Sequence, residues 1–242
     1  MKQVFAKNPV NLNENFCLDE KQAHHIFDVL RSSPKETIRL VHEDEIYLAH
    51  PQEKPFLYVF GVEKADLRLV DVTLCAALIK QDKWELMLQK AAELGVSRIV
   101  PFECKNTVVK IDEKKLSKKY DRWSTILEEA CKQCNRADYV VLEPISSLKG
   151  LADYKSQCNL VAYEKEDGSN HISACLMDNP SSVTVVIGPE GGFEPKEIEV
   201  LESLGFVPCS LGSQILRAET ASMYVLSVIE YQSHLKPAND QA

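Results

Sequence analysis

Val183-Thr184-Val185-Val186-Ile187-Gly188-Pro189-Glu190-Gly191-Gly192-Phe193 leads directly into Glu194-Pro195 and a helical pattern that ends at Leu204-Gly205. A short, unbroken run of β-branched residues reads as a strand buried on both faces, the kind found in parallel sheets. Pro195 near the helix start and Gly205 just past its end follow the usual asymmetry of helix termini. A further strand is expected over 206–211. It opens into Leu211-Gly212-Ser213-Gln214-Ile215-Leu216-Arg217-Ala218-Glu219-Thr220-Ala221, ahead of a last helix running from 219 to about 235. Ligands of open α/β sheets sit outside the carboxyl ends of the strands. Glycine there permits unusual dihedrals and close approach of backbone to ligand. Both loops therefore lie where a cofactor binds.

Working outward, 72–79 is a nearly continuous apolar run, and 98–102 and 160–163 read as further buried strands. Trp84, Met87, Leu88, Ala91 and Leu94 recur at helical spacing and are closed by Gly95. Leu116, Tyr120, Trp123, Ile126, Leu127, Ala130 and Cys131 mark a longer amphipathic helix. This alternation predicts an α/β architecture over 71–242, with a mostly parallel sheet and helices on both faces. Residues 1–70 read differently. Phe16, Leu18, Ala23, Ile26, Phe27 and Leu30 suggest a short helix ending near Ser32-Ser33-Pro34. Strand-like runs at 37–41, 45–49 and 56–62 follow, so 1–70 is expected to be a small, largely β module. The boundary is placed near 63–71.

Composition limits the function. Hydrophobic residues make up 45% and charged residues 26% of the chain, which is ordinary for a globular protein. No run approaches the roughly 20 apolar residues that a membrane span needs. The first residues carry no apolar core of signal-peptide length. A cytoplasmic location is therefore expected. The eight cysteines are scattered, as fits a reducing compartment. Cys131 and Cys134 have CxxC spacing but sit in a helical pattern with no second pair to complete four ligands, so no metal is expected. The net charge of −8 is not that of a typical nucleic-acid binder. One segment runs against it: within 105–122, Lys105, Lys110, Lys114, Lys115, Lys118, Lys119 and Arg122 face three acidic residues. It reads either as a phosphate-contacting patch or as a solvated helix face.

Neither glycine loop matches a dinucleotide fingerprint or a P-loop. Glu190 repels a phosphate placed beside it but suits a cationic or hydrogen-bond-donating ligand. Taken singly, each loop is equally well a tight structural turn.

Together the two loops resemble the signature of the SPOUT methyltransferases, and within them the RsmE family, which methylates N3 of a uridine in 16S ribosomal RNA. Lys80-Gln81-Asp82-Lys83-Trp84-Glu85, Gln89-Lys90-Ala91-Ala92-Glu93-Leu94-Gly95-Val96, Pro101-Phe102, and Arg122-Trp123 leading into Glu129-Ala130-Cys131-Lys132-Gln133-Cys134-Asn135-Arg136 are similar to that family's pattern. His24-His25-Ile26 and Val29-Leu30-Arg31 resemble its PUA-like RNA-binding module. The resemblance covers nearly the whole chain. It implies a C-terminal trefoil knot and a homodimer. It also implies S-adenosylmethionine as cofactor, no membrane or metal, and the small ribosomal subunit as partner. The alternatives are a 2′-O-ribose RNA methyltransferase of the same superfamily and a non-catalytic RNA-binding ribosome-assembly factor.

The site follows from the resemblance. Arg217 is the main candidate for stabilising charge on the substrate, through its fixed charge and rigid donor fork. The alternative is that it merely pairs with Glu190 or Glu219. Glu190 orients Arg217 or touches the cofactor, and Arg136 serves RNA phosphate or the partner's site. Cofactor contacts are expected from Glu164, Ile187, Gly188, Pro189, Glu190, Gly191, Leu211, Gly212, Ile215, Leu216, Arg217, Ala218 and Thr220, with capping of the last helix the preferred role for Thr220. RNA contacts are expected from His24, Arg31, Lys80 and Arg122.

Overall fold

The computed structural model describes residues 2–65, 68–166 and 170–235. Two units result. One holds the residues before Arg68 together with Cys131–Tyr139, and the other holds Arg68–Ala130 and the residues from Val140 onward. Of the expected junction at 63–71, Asp66 and Leu67 lie outside the described residues.

In the first unit, β1 (Lys2–Phe5), β2 (Asn15–Cys17), β3 (Ile38–His42), β4 (Glu45–Pro51) and β5 (Phe56–Glu63) form one sheet in the order β1-β3-β4-β5-β2. Only the β1–β3 pair is parallel. Between β2 and β3, α1 (Glu20–Ala23) continues into a π-helical run, His24–Val29. Asp19 starts α1 with a capping box to Gln22. The helix is therefore shorter than its apolar spacing suggests. Phe16 lies in β2, and Leu18 precedes the cap. Both side chains bury in the same core as Ile26, Ile38, Leu40, Leu57 and Val59, which is why the spacing ran on past the true start. The alternate residues of β1 and β3 meet the segment after the long helix. Gln3 Nε2 donates to Arg136 O at 2.7 Å, Arg39 Nη1 donates to Asn135 O at 3.1 Å, and the Phe5 and Tyr139 rings lie 4.0 Å apart.

The second unit runs β6 (Asp71–Ala77), α2 (Gln81–Glu93), β7 (Arg98–Glu103), α3 (Glu113–Gln133), β8 (Val141–Leu142), β9 (Ser146–Ser147), a 3₁₀ segment (Lys149–Tyr154), β10 (Cys158–Ala162), α4 (Ile172–Cys175), β11 (Ser182–Ile187), α5 (Pro195–Ser203), β12 (Val207–Cys209) and α6 (Ala218–Ser233). The sheet order is β12-β10-β11-β6-β7-β8, with β9 also on β7, and the pairs are parallel. Successive side chains of a strand point to opposite faces. Cys75, Val100, Phe102, Val161 and Val186 bury with Ile198 and Leu201 of α5. Leu74, Ile99 and Val185 are fully buried, and α6, packed on α2, meets β6 and β11. The strand expected over 206–211 is only Val207–Cys209, because Ser210 and Leu211 already belong to the loop. No helix among the described residues is long and apolar enough to cross a membrane.

Leu74 is at 0% exposure in the central strand β6. Leu74→Ala is expected to cost about 2–5 kcal/mol, from lost transfer energy plus the cavity left behind. The check is a lower urea midpoint at unchanged slope in the unfolding transition.

Candidate active site

β10 pairs through Ala162 with Ile187 of β11 on one side and with Cys209 of β12 on the other. Three parallel strands thus end at one edge. The residues just past those ends, with Ala221 of α6, line a cavity of about 400 Å³.

The loop after β11 is held from several sides. Gly192 N donates to Pro189 O at 2.9 Å, closing a tight turn. Gly192 has φ +65°, and a Cβ there would come within 2.7 Å of Glu164 Oε1. At Gly188 a Cβ would meet the Phe193 ring at 2.9 Å. That ring is buried and nearly parallel to Phe102, 6.3 Å away. Asn106 Nδ2 donates to Gly191 O and Gly192 O at 3.2 and 3.0 Å. Glu194 starts α5 in a capping box with Glu197. Lys105 joins both carboxylates, its ammonium 2.7 Å from Glu194 and its backbone N–H donating to Glu197 at 2.8 Å. The bond to Glu194 holds the Lys105 ammonium above the usual lysine range.

The loop after β12 turns on Ser210, which is buried. Its N–H donates to Asn170 O at 2.9 Å, and its carbonyl accepts from Ile172 N at 3.0 Å. Its hydroxyl accepts from Gly212 N at 3.2 Å. The neighbouring Cys209 thiol is pushed up to about 12 by burial, so at neutral pH it is a packed thiol and not a nucleophile. Arg217 occupies the N-cap of α6 without a side-chain cap bond. Its carbonyl accepts from Ala221 N at 2.7 Å. Glu219, with only 6% of its side chain exposed, meets Lys83 Nζ of α2 at 3.1 Å.

The cavity wall takes in Glu164, Ile187, the run 188–191, Leu211, Gly212 and the run 215–218. Thr220 is absent from the wall. It is an exposed third residue of α6, so it does not cap the helix as expected: the N-cap position is held by Arg217, which makes no side-chain cap bond. The alternative reading of Arg217, a pair with Glu190 or Glu219, does not form among the described residues, and Glu219 is taken by Lys83. Arg136 lies in the other unit, with Nη2 2.6 Å from Asp138. His24 bonds Asp28 at 2.8 Å. Arg31 and Lys80 are exposed, the latter at the N-cap of α2. Arg122 grips Glu85 with two bonds of 2.5 and 2.6 Å and holds that carboxyl below its usual range. Sequence reasoning missed Asn106, Ser210 and the Lys83–Glu219 pair. Lys83 sits in a segment already singled out, but no spacing rule links Asn106 to a loop so distant in the chain.

The wall offers two carboxylates (Glu164 and Glu190), apolar surface from Ile187, Leu211, Ile215 and Leu216, and one arginine. Ile215 leaves 82% of its area in solvent. Residues 66–230 match the model of the RNA methyltransferase domain family. Ribosomal RNA small subunit methyltransferase E of Bacillus subtilis is 31% identical, over 95% of this chain and 95% of that protein. The protein of the same name from Mesomycoplasma hyopneumoniae is 31% identical, over 88% of this chain and 96% of its own. The solved structure of a putative methyltransferase from Legionella pneumophila, in complex with the cofactor SAM, superposes with a TM-score of 0.85 at 28% identity, over 95% of this chain and 96% of that one. The chain belongs to the ribosomal RNA small subunit methyltransferase E family. In this family member, then, the walled edge of the sheet lies within the matched methyltransferase domain.

Two changes test how the site is held. Gly192→Ala forces a β-carbon into a left-handed conformation and against Glu164, and is expected to cost about 1–2 kcal/mol by thermal unfolding. Lys83→Ala strands the Glu219 carboxylate. With Lys83 about one-third exposed, the expected loss is about 1–2 kcal/mol, less than for a fully buried pair. Adding Glu219→Gln should recover part of that loss in a double-mutant cycle.

Proposed function

We propose that the chain methylates N3 of a specific uridine in 16S ribosomal RNA of the small ribosomal subunit, using S-adenosylmethionine. The observation that carries this reading is the cavity at the ends of β10, β11 and β12, built by both glycine loops in a member of this family. The residues fit the cofactor: without a β-carbon, Gly188 and Gly192 let the loop backbone close in on Phe193 and Glu164, and the carboxylates of Glu164 and Glu190 line a space that a cationic group suits.

When bound, S-adenosylmethionine supplies an electrophilic methyl group on positively charged sulfur. Glu164 and Glu190 favour a cation at this edge. Leu211 and Leu216, half-buried in the wall, add apolar surface beside it. The two loops fix position, and alignment of reacting groups is itself a large part of rate enhancement. Uracil N3 is a weakly acidic imide and becomes nucleophilic as its proton leaves. Arg217 has a fixed charge, five donors and no carboxylate partner among the described residues. It donates to a carbonyl oxygen beside N3 and stabilises the negative charge that deprotonation leaves there.

The same reading gives the first unit the role of a PUA-like RNA-binding module, with His24 and Arg31 toward RNA, and gives the C-terminal region a trefoil knot. It makes the working form a cytoplasmic homodimer, with Arg136 at RNA phosphate or the partner's site.

The test supplies labelled S-adenosylmethionine and small subunits lacking the modification, followed by digestion to nucleosides. Label is expected in 3-methyluridine, and Arg217→Ala is expected to lower kcat about 10²–10³-fold, as loss of one anion-stabilising donor does. Label on a ribose would make the chain a 2′-O-methyltransferase. Neither label nor cofactor binding would leave an RNA-binding assembly factor.

A further inference from the structure

The charge run at 110–119 is used by nothing in the site described above. In the structure it becomes one face of a helix. Lys114, Lys115, Lys118 and Lys119 lie in the first two turns of α3. At about 100° per residue, these four and Arg122 fall within an arc of about 140°. Leu116, Tyr120, Trp123 and Leu127, the inward stripe, point the other way, with Trp123 and Leu127 buried. Arg122 is committed to Glu85, and Lys105 to Glu194. Lys110 and the four helix lysines form no ion pair among the described residues, though Lys119 feels the Glu85 charge. Asp121 flanks the arc, and Glu129 lies nearly two turns farther along.

The arrangement works against the helix itself. Lysines at i and i+4, here 114 with 118 and 115 with 119, repel each other. Lys114 and Lys115 stand in the first turn, near the positive end of the helix dipole, where cations are disfavoured. Asp112, whose carboxylate accepts from Lys114 N at 3.0 Å, is the local acidic offset. A chain of net charge −8 thus keeps a concentrated cationic face whose lysines form no ion pair among the described residues. Its position is also informative. The loop that feeds α3 is fastened to the cavity wall by Asn106, through Gly191 O and Gly192 O. Lys114 is eight positions after Asn106, so the patch starts within about 29 Å of that residue.

We infer that the α3 lysine face, with Lys110, is a docking surface for the phosphate backbone of the ribosomal RNA, holding the strand whose nucleotide enters the cavity. The inference rests on the RNA-methyltransferase reading of that cavity. Spaced ammonium groups on a helix match a flexible anionic strand without reading its bases, so this face sets affinity and placement while the cavity sets chemistry.

The experiment compares the full-length protein with a variant carrying Lys→Gln at 114, 115, 118 and 119, and with one carrying Lys→Arg at the same four positions. Binding to small subunits is measured from 50 to 200 mM salt, together with cofactor affinity and thermal unfolding. The Gln variant is expected to bind subunits at least tenfold more weakly. Its slope of log affinity against log salt is expected to shrink by about 3, at 0.7–0.9 per lost phosphate contact. Its cofactor affinity stays at the wild-type value, its unfolding temperature does not fall because removing like charges relieves repulsion within the helix, and the Arg variant keeps the wild-type slope. A Gln variant with wild-type slope and subunit affinity, while the wild type methylates RNA, overturns the docking face and leaves the catalytic reading standing. A wild type that binds no RNA at all overturns both.

Discussion

Because β10 pairs in parallel with β11 on one side and β12 on the other, three strands let go of their chains at the same edge of the sheet. Antiparallel neighbours would send alternate loops to opposite ends and leave no common wall. Parallel order in turn obliges helical crossovers between strands, which here are α4, α5 and their flanking turns. Burying such a sheet on both faces is what makes its strands continuously apolar. The cavity is thus a consequence of strand direction. The side chains in it only choose what it binds.

An edge built from loops must still be made rigid, because a site a fraction of an ångström too loose loses its alignment. Each loop here is tied to a different element. Asn106, from the turn after β7, takes both glycine carbonyls of the first loop. Ser210 stitches the second to the turn before α4. Lys83 fixes the start of α6 through Glu219. The last pair also explains an open feature of the wall. With Glu219 drawn inward to α2, Arg217 two residues earlier pairs with no carboxylate among the described residues. Arg217 remains an exposed residue of the cavity wall.

Local signals carried the α/β part of the fold in the sequence. The apolar runs at 72–79, 98–102 and 183–187 lie within a residue or two of β6, β7 and β11, because burial on both faces leaves a strand no freedom in composition. The short strands β1, β2, β8 and β9 gave no such signal. They are two to four residues long and owe their existence to neighbours, so no window of sequence holds their period. The same holds for Cys131–Tyr139. Its pattern reads as the end of a helix, yet the segment belongs with the first sheet through Gln3, Arg39 and Phe5. The glycine loops were legible as ligand-facing because backbone freedom is written into glycine itself. Thr220 was misplaced because a hydroxyl near a helix start is the usual cap, while here the chain enters α6 three residues earlier, at Arg217.

The acidic total raises a physical question that the distribution of charge answers. At physiological ionic strength a surface charge is felt over about 8 Å, and beyond that it is largely screened. A phosphate approaching α3 therefore responds to the lysines within that range and hardly at all to carboxylates elsewhere on the surface. Net charge instead governs encounters with no preferred orientation. A chain of charge −8 is repelled, on average, by the bulk of any RNA. Binding is then favourable only when the cationic face and the cavity edge arrive together. A uniformly basic protein would stick to ribosomal RNA everywhere and spend its time at the wrong nucleotides. An acidic body with one concentrated basic face gives up affinity in general and keeps it in one orientation, which a site-specific modification requires.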